Sequence, residues 1–596
     1  MPDSVDCGAL ATFTIKIDNK SISDDWAIHS VHVHKRINKV ASAGFVILDG
    51  QSDTGKFDAS SSDVFLPGKA VTIEAGYDSK NEVIFKGIIT RQSIRIDEFI
   101  GSSLDIECRD VAIKTTVGRK SLTYQKQKDS DIISKIVGNY SGLSAKVAAT
   151  STTWPQQVQH YVTDWDYILS RAEINGLLVA TINGELNVFK PDATKSVMQV
   201  KYGDGLLEFN ADLDSVSQYG SVNASTWDFK TQTVVSSVSK CDVDGPGNLS
   251  SKKLAAVVGL ANYELQSTAP FEKTDLENWS KAQLVKSEYS KIRGEAKVQG
   301  TSLLELGKYI TLVGLGNRFN GDHLVSGLKH AIAEGNWTTE IAIGLSPLWF
   351  VEEPDVTAPT ASNLLTGARG LFNATVKQMY EDPDSQFRIL VDVPLIDNQG
   401  QGLWARLSNF YSTSGAGAFF LPEVGDEVIV GFLNEDPRYP IILGSLYSNS
   451  KIKPFEGLTP NQKNTQKAIV SKSGIYIQFD DDKKIFTIST PDKNKIILDD
   501  ENKKIMIADD NGNTVTMSDS GISMKSPKNI TLQADGNVAI SGKQGVKISS
   551  DAGDVVVKGI NVKQTATTEY SVDGGMKATV QSSMNMTLQS AMININ

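Results

Sequence analysis

The chain has 596 residues, 40% hydrophobic and 22% charged, with a formal net charge of −11. That length is too great for one core and points to several domains, while the acidic balance argues against nucleic acid or an anionic membrane surface as partner. Three cysteines, Cys7, Cys108 and Cys241, are far apart and odd in number, so no disulfide framework is implied and each reads as a small buried hydrophobe. The start, Met1-Pro2-Asp3-Ser4-Val5-Asp6, has no basic and apolar leader, and no run reaches membrane-spanning length.

Residues 1–115 read as β, with strands at 11–17, 44–48, 70–75, 83–89 and 103–108; turn residues between them suggest a barrel or sandwich. Residues 116–204 add helices. Ser130 reads as the cap of one that carries Ile132, Ile133, Ile136 and Val137 to Gly138, and Thr163 opens another, with Asp166 three residues on. A second β block, 205–350, holds a helix after Thr274 whose apolar spacing runs through Ile292 to Gly294. Residues 351–365, with Pro354 and Pro359, read as a linker, 366–448 as a compact β domain, and 449–466 as a second linker.

From Ile475 onward the chain alternates apolar and polar residues in strands about eight residues apart. Period two places one set of side chains on one face. Ile505, Ile507, Val515, Met517, Ile522, Met524, Ile530, Leu532, Val538, Ile540, Val546 and Ile548 are expected to point inward. Such short strands cannot close a core alone, since each hides one side only. Three chains about one axis can, and closure removes the edges that template aggregation. A homotrimer is therefore expected, with residues 467–596 as its needle. Met576, Met584, Met586 and Met592 fall in the last 21 positions, as suits an irregular core near a tip.

Within 366–448, Trp404-Ala405-Arg406-Leu407, Gly417 to Val430 and Asp436-Pro437-Arg438-Tyr439-Pro440 to Tyr447 resemble the OB-fold of VgrG-type spikes, the central spikes of contractile injection systems. Thr163 to Gly176 resembles a helix of the hub shared with the phage T4 tail hub, and Gly314 to His330 a strand pair of its second barrel. The resemblance implies a mainly β protein: two hub β-barrels with inserted helices, an OB-fold, and an intertwined triple-stranded β-helix in a homotrimer. It implies a structural hub and cell-puncturing spike, not an enzyme, needing no cofactor. Implied partners are a hexameric Hcp-like inner tube, a PAAR-like tip protein at Met592, Ile593, Asn594, Ile595 and Asn596, baseplate proteins and effector cargo; contact with the target membrane is mechanical. Two barrels in each of three chains would match the tube's sixfold ring. Assembly in the cytoplasm and delivery by contraction, without a signal peptide, follow from the same resemblance.

In the OB-like segment Gly425 and Gly444 suit tight turns and Pro422 a strand end, and the spaced basic and aromatic residues of a nucleic-acid groove are not evident. His32 and His34, two apart, could share a strand face, but no further ligand accompanies them. The needle has no His, unlike related spikes that hold iron through a His-x-His repeat, so no metal tip is expected. The acidic runs 480–482, 499–501 and 509–513 lack a calcium-loop register and read as solvated turns. Gly314-x-Gly316 lacks the third glycine of a dinucleotide loop. In the VgrG-type family enzyme domains sit between OB-fold and needle or after it, and none is expected at either place here. The rival expectation is a β-helical tailspike-like enzyme acting on envelope polysaccharide, which needs carboxylates converging in a groove.

Overall fold

The computed structural model describes residues 10–98, 101–192, 196–241, 245–353, 355–448, 452–455, 458 and 460–595. Cys7, Pro354 and Asn596 lie outside the described residues, as do Met1 to Asp6 and part of the 449–466 segment. The chain divides into two compact units, 1–445 and 446–596.

The first unit is mainly β. The five sequence-read strands of its N-terminal part form as Ala11–Ile17, Ser42–Leu48, Ala70–Tyr77, Lys80–Asp97 and Gly101–Arg109. They close over a core of Phe45, Phe65, Phe85, Ile73 and Ile106. A second core gathers Leu304, Ile310, Leu312, Leu324, Leu328 and Ile341. Both belong to one 13-stranded sheet, because strand Gly321–Ala333 pairs with Ile28–Arg36 on one side and Asn336–Ile343 on the other. The far end of that hairpin, Ile332 and Trp337, packs in the first core, while Leu324, Val325 and Ile343 pack in the second. One hairpin therefore feeds two cores. At its first-core end Gly300 leaves room for the Trp337 indole, since a Cβ there would lie 2.0 Å from the ring.

His330 sits on the same hairpin, buried, with Nδ1 2.9 Å from the Thr339 hydroxyl. Burial pushes its imidazole down to about 3, and Lys35, also buried, adds to the shift. The unfolded chain takes up that proton near pH 6.5, the folded chain only near pH 3. Below about pH 6.5 the unfolded state thus binds more protons and stability falls with pH, by up to ~1.4 kcal/mol per unit. The urea midpoint of the hub should drop between pH 7.5 and 5.5, and drop less in His330→Gln; equal slopes would refute the assignment.

Of the three expected helices, one begins as read and two differ. The first is Asp129–Val137, preceded by Lys128 with no side-chain cap, so Ser130 lies inside its first turn. There its amide N–H donates to Thr150 Oγ1. The second, Asp164–Ile174, does begin after Thr163, whose hydroxyl accepts from the Asp166 N–H at 3.1 Å. The third expected helix ends early. It spans Lys273–Tyr289, and Ile292 and Gly294 belong to strand Ile292–Gln299. Gly294 is needed in that strand: a Cβ there would meet the Asn210 carbonyl at 2.2 Å.

That helix covers a three-stranded sheet, Ser221–Asp228, Thr233–Lys240 and Tyr263–Ser267, over a small core of Val222, Ala224, Leu265 and Leu276. Helix Ser251–Val258 is an addition to the sequence reading, although Ser250 at its start and Gly259 at its end, with φ 72°, are ordinary cap residues.

Residues 372–445 form a closed five-stranded barrel: Phe372–Gln378, Ile389–Asp392, Leu403–Leu407, Pro440–Ser445 and Glu427–Phe432, in that order around the wall. Ala374, Val376, Ile389, Val391, Ala405, Val428, Val430 and Ile442 fill it. Gly425 occupies a turn with φ 92°, as expected. Gly444 does not: it lies within the last strand, opposite Ile429 beside a bulge.

In the second unit, seven strands run as an antiparallel meander from Gln466–Val470 to Gly521–Lys525. Residues 526–595 carry no helix or strand in the single chain. The expected strands around Ile530, Val538 and Val546 are therefore not paired within it, because a strand requires a neighbour for its backbone groups.

Candidate functional site

The alternation in the meander has a geometric result that single strands conceal. The register aligns Ile469, Ile477, Ile488, Ile496, Ile507, Val515 and Met524 in one cross-strand column. A second column on the same face holds Phe479, Phe486, Leu498, Ile505, Met517 and Ile522, with Lys467 at its start. Cross-strand neighbours and residues two apart share a face, so thirteen apolar side chains form one surface. The opposite face carries Gln478, Thr487, Lys495, Thr514, Thr516, Ser523 and Lys525, interspersed with Tyr476, Ile485, Ile497 and Met506.

Among the described residues the apolar face is left largely open. Ile496, Leu498, Ile505, Ile507, Met517, Ile522 and Met524 are all at least 40% exposed. A groove of about 570 Å³ runs along the first column, lined by Ile488, Ile496, Ile507, Val515, Met524 and then Ile530, so the column continues past the last strand.

Six of the twelve expected core residues, Ile505, Ile507, Val515, Met517, Ile522 and Met524, therefore lie together on this face. Ile530, Leu532, Val538, Ile540, Val546 and Ile548 are exposed on unpaired backbone, as are Met592, Ile593 and Ile595; Asn594 is exposed beside them. Ile469, Ile477, Phe479, Phe486, Ile488, Ile496 and Leu498 were missed as site residues, although the same i, i+2 spacing marks them.

The acidic turns between these strands are occupied by their own backbone. Asp480 Oδ1 accepts from the Asp482 and Lys483 N–H groups at 3.1 Å. Asp499 accepts from the Asn502 N–H at 2.9 Å and its amide at 3.0 Å, and Asp509 likewise from Asn513 at 2.8 and 2.7 Å. Those hydrogen bonds hold all three carboxyls below the usual range, the Lys483 N–H leading for Asp480 and the Asn502 and Asn513 side chains for the others. These are Asx-type turn locks.

His32 and His34 do share a face, with ring centroids 5.6 Å apart; burial lowers both imidazoles. Among the described residues no group of three or more His, Cys, Asp or Glu is placed to hold a metal. None of the helices there is long and apolar enough to cross a membrane.

The barrel's surface departs from expectation in one respect. Its loops do carry aromatics: Phe387, Phe410, Phe419 and Phe420 are strongly exposed. Around the last three, residues 408–422 contain no Lys or Arg, and Arg388 and Arg438 are paired with Asp382 and Asp436. A strand-tracking groove needs basic residues beside its stacking rings, and this loop lacks them.

In chain order, a two-core β hub is followed by a closed five-stranded barrel and then by an apolar-faced meander. Residues 372–447 match the family described as the type VI secretion system/phage-baseplate injector OB domain. Residues 8–334, more than half of the chain, match the family described as the Alg8 N-terminal domain. The chain belongs to that family, and it is similar to VgrG-type spike proteins. It is 21% identical over 478 residues to the type VI secretion system spike protein VgrG1c of Pseudomonas aeruginosa, covering 73% of this chain and 64% of that protein. It is likewise 21% identical to VgrG1b of the same organism, over 60% of this chain and 51% of that protein. The chain thus spans between half and two thirds of these relatives. Among solved structures, a tail protein from Neisseria meningitidis superposes with a TM-score of 0.43 at 14% identity, over 58% of this chain and 99% of that one. The Francisella PdpA–VgrG complex gives 0.40 at 12% identity, over 87% and 81%.

Proposed function

We propose that the chain is the structural hub and spike of a contractile injection apparatus, working as a homotrimer. The uncovered two-column apolar face carries this reading. Contiguous apolar faces of that size mark an interaction surface, and the occupant that matches it in length, periodicity and register is the same face of another copy. Three copies make a closed prism with the columns inside and the polar face outside.

The needle on this reading has two parts. Residues 466–525 each build a wall by pairing within their own chain. Residues 526–595 have no strand partner in their own chain, and unpaired backbone buried in a rod would be costly, so their partners are the neighbouring chains, as in an intertwined β-helix. The proposed domain limits follow: hub barrels at 1–115 and 205–350 around a 116–204 insertion, an OB barrel at 366–448, and the needle from 467.

The hub would then seat on a hexameric Hcp-like tube and baseplate proteins. The needle end, Met592 to Asn596, would take a PAAR-like cap and through it cargo. Assembly would occur in the cytoplasm and delivery by contraction, and no covalent step is required of the chain. The polysaccharide-cleaving alternative gains no support from Asp480, Asp499 and Asp509, whose carboxylates are bound to their own turn backbones. Native mass spectrometry of the full chain should give three times the 64.6 kDa chain mass. A monomer whose 466–525 strands are protected from hydrogen exchange would overturn the proposal.

A further inference from the structure

The segment joining hub to OB barrel is a joint with a firm side and a weak side. On the hub side, Phe350 and Val356 bury in the core beneath helix Asp164–Ile174. The Phe350 N–H donates to Glu173 Oε2 at 2.7 Å, and Trp349 Nε1 to Gln283 Oε1 at 2.7 Å. Arg119 donates to the Asp355 and Thr357 carbonyls at 2.9 and 3.0 Å. The barrel side has an exposed hydrogen bond from Asn434 Nδ2 to Ser362 Oγ at 3.3 Å. It adds the Ala368 N–H to the Glu435 carbonyl at 2.7 Å and an Arg369–Glu435 ion pair at 3.0 Å whose arginine is 73% exposed. Exposed pairs of this kind contribute little.

Between the two sides the backbone is strained. Ala361, Ser362 and Asn363 have φ of 45°, 55° and 59° in succession, and the facing residues Asn434 and Glu435 have 52° and 58°. None is glycine. L-residues adopt this region singly and at a cost, and consecutive ones persist only where their surroundings force them. Here Ala361 is fully buried and Gly367 packs against Thr360 so closely that a Cβ would lie 2.8 Å away.

We propose that the 361–363 turn is a built-in yield point between hub and barrel. Under axial load it swings from left-handed to extended, relief of backbone strain offsets loss of the Ser362–Asn434 and Glu435 contacts, and the hub side stays docked. Three residues passing from a helical to an extended rise lengthen the joint by about 5 Å. The spike thereby gains a compliant element that gives before either barrel unfolds. Its use during firing rests on the spike reading; its existence in the chain does not.

Optical-tweezer pulling on the full chain, with handles on the hub and at the barrel residue Gln399, tests this. A first short extension step should precede unfolding. It should vanish in oxidised Ser362→Cys/Asn434→Cys and return on reduction. Ala361→Gly/Asn363→Gly, which removes the strain but keeps Ser362, should move the step to higher force and slow its opening about tenfold. A step that survives oxidation, a cysteine pair that will not cross-link, or a glycine variant that opens more easily would each overturn the proposal. The measurement needs neither tube nor target, so its failure leaves the trimer result to judge the spike reading separately.

Discussion

Replacing Ile496 and Ile507 together by Asp should convert the proposed trimer to monomers while the hub and OB barrel stay folded. The two residues are direct cross-strand partners in the first apolar column, and both line its groove. Each aliphatic side chain is worth about 1.5–3 kcal/mol when buried, and the double change removes six of them from a threefold assembly. It also places six carboxylates inside the prism, where an unpaired charge costs far more than the lost burial. Light scattering should report the monomer mass and urea unfolding of the hub an unchanged midpoint. A persistent trimer would place the interface elsewhere. The matched control is Lys495→Asp and Thr516→Asp on the opposite face, where two charges should leave the oligomer intact.

Arg171→Ala should destabilise the hub by about 3–5 kcal/mol, the second-largest effect foreseen. Its guanidinium donates from Nε and Nη2 to the Asp129 carboxylate at 2.7 and 3.0 Å. Asp129 is buried and also accepts from Trp154 Nε1 at 3.0 Å and Asn175 Nδ2 at 2.9 Å. Four charge-assisted bonds thus tie both helices and strand Thr153–Val162 to one carboxylate, with the Arg171 guanidinium 5.1 Å from the Trp154 ring centre. Removing the arginine strands a buried charge, which is worse than removing both partners. Asp129→Leu/Arg171→Met should recover much of the loss. The hub's urea midpoint measures both; a single variant no weaker than the double would show that the pair acts independently.

The strands of the N-terminal β block and of the meander up to Lys525 were legible because alternation of period two is a local property, and the Thr163 cap because its acceptor lies three residues from its donor. Helix Lys273–Tyr289 was overextended for an equally local reason. Ile292 continues the helical spacing, but the close approach of Asn210 to Gly294 requires a strand there, and that partner lies over eighty residues away. The 351–365 segment read as a linker from its prolines and polarity, since docking by Glu173 and Arg119 leaves no periodicity. The aromatic loop at Phe410–Phe420 escaped notice because exposure of an apolar residue is not written in its neighbours.

By itself the sequence determined most of the strands, the apolar alternation and the VgrG-type resemblance, since propensity, alternation and motif spacing act within a few residues. Only the tertiary structure decided that one hairpin, Gly321–Ala333 with Asn336–Ile343, serves two cores. It likewise decided that the seven strands of the C-terminal meander align into two apolar columns, and that residues 526–595 have no strand partner of their own. Register and coverage depend on which distant backbones meet, and that is set by the closing of the chain on itself and, in the proposed needle, on two more copies.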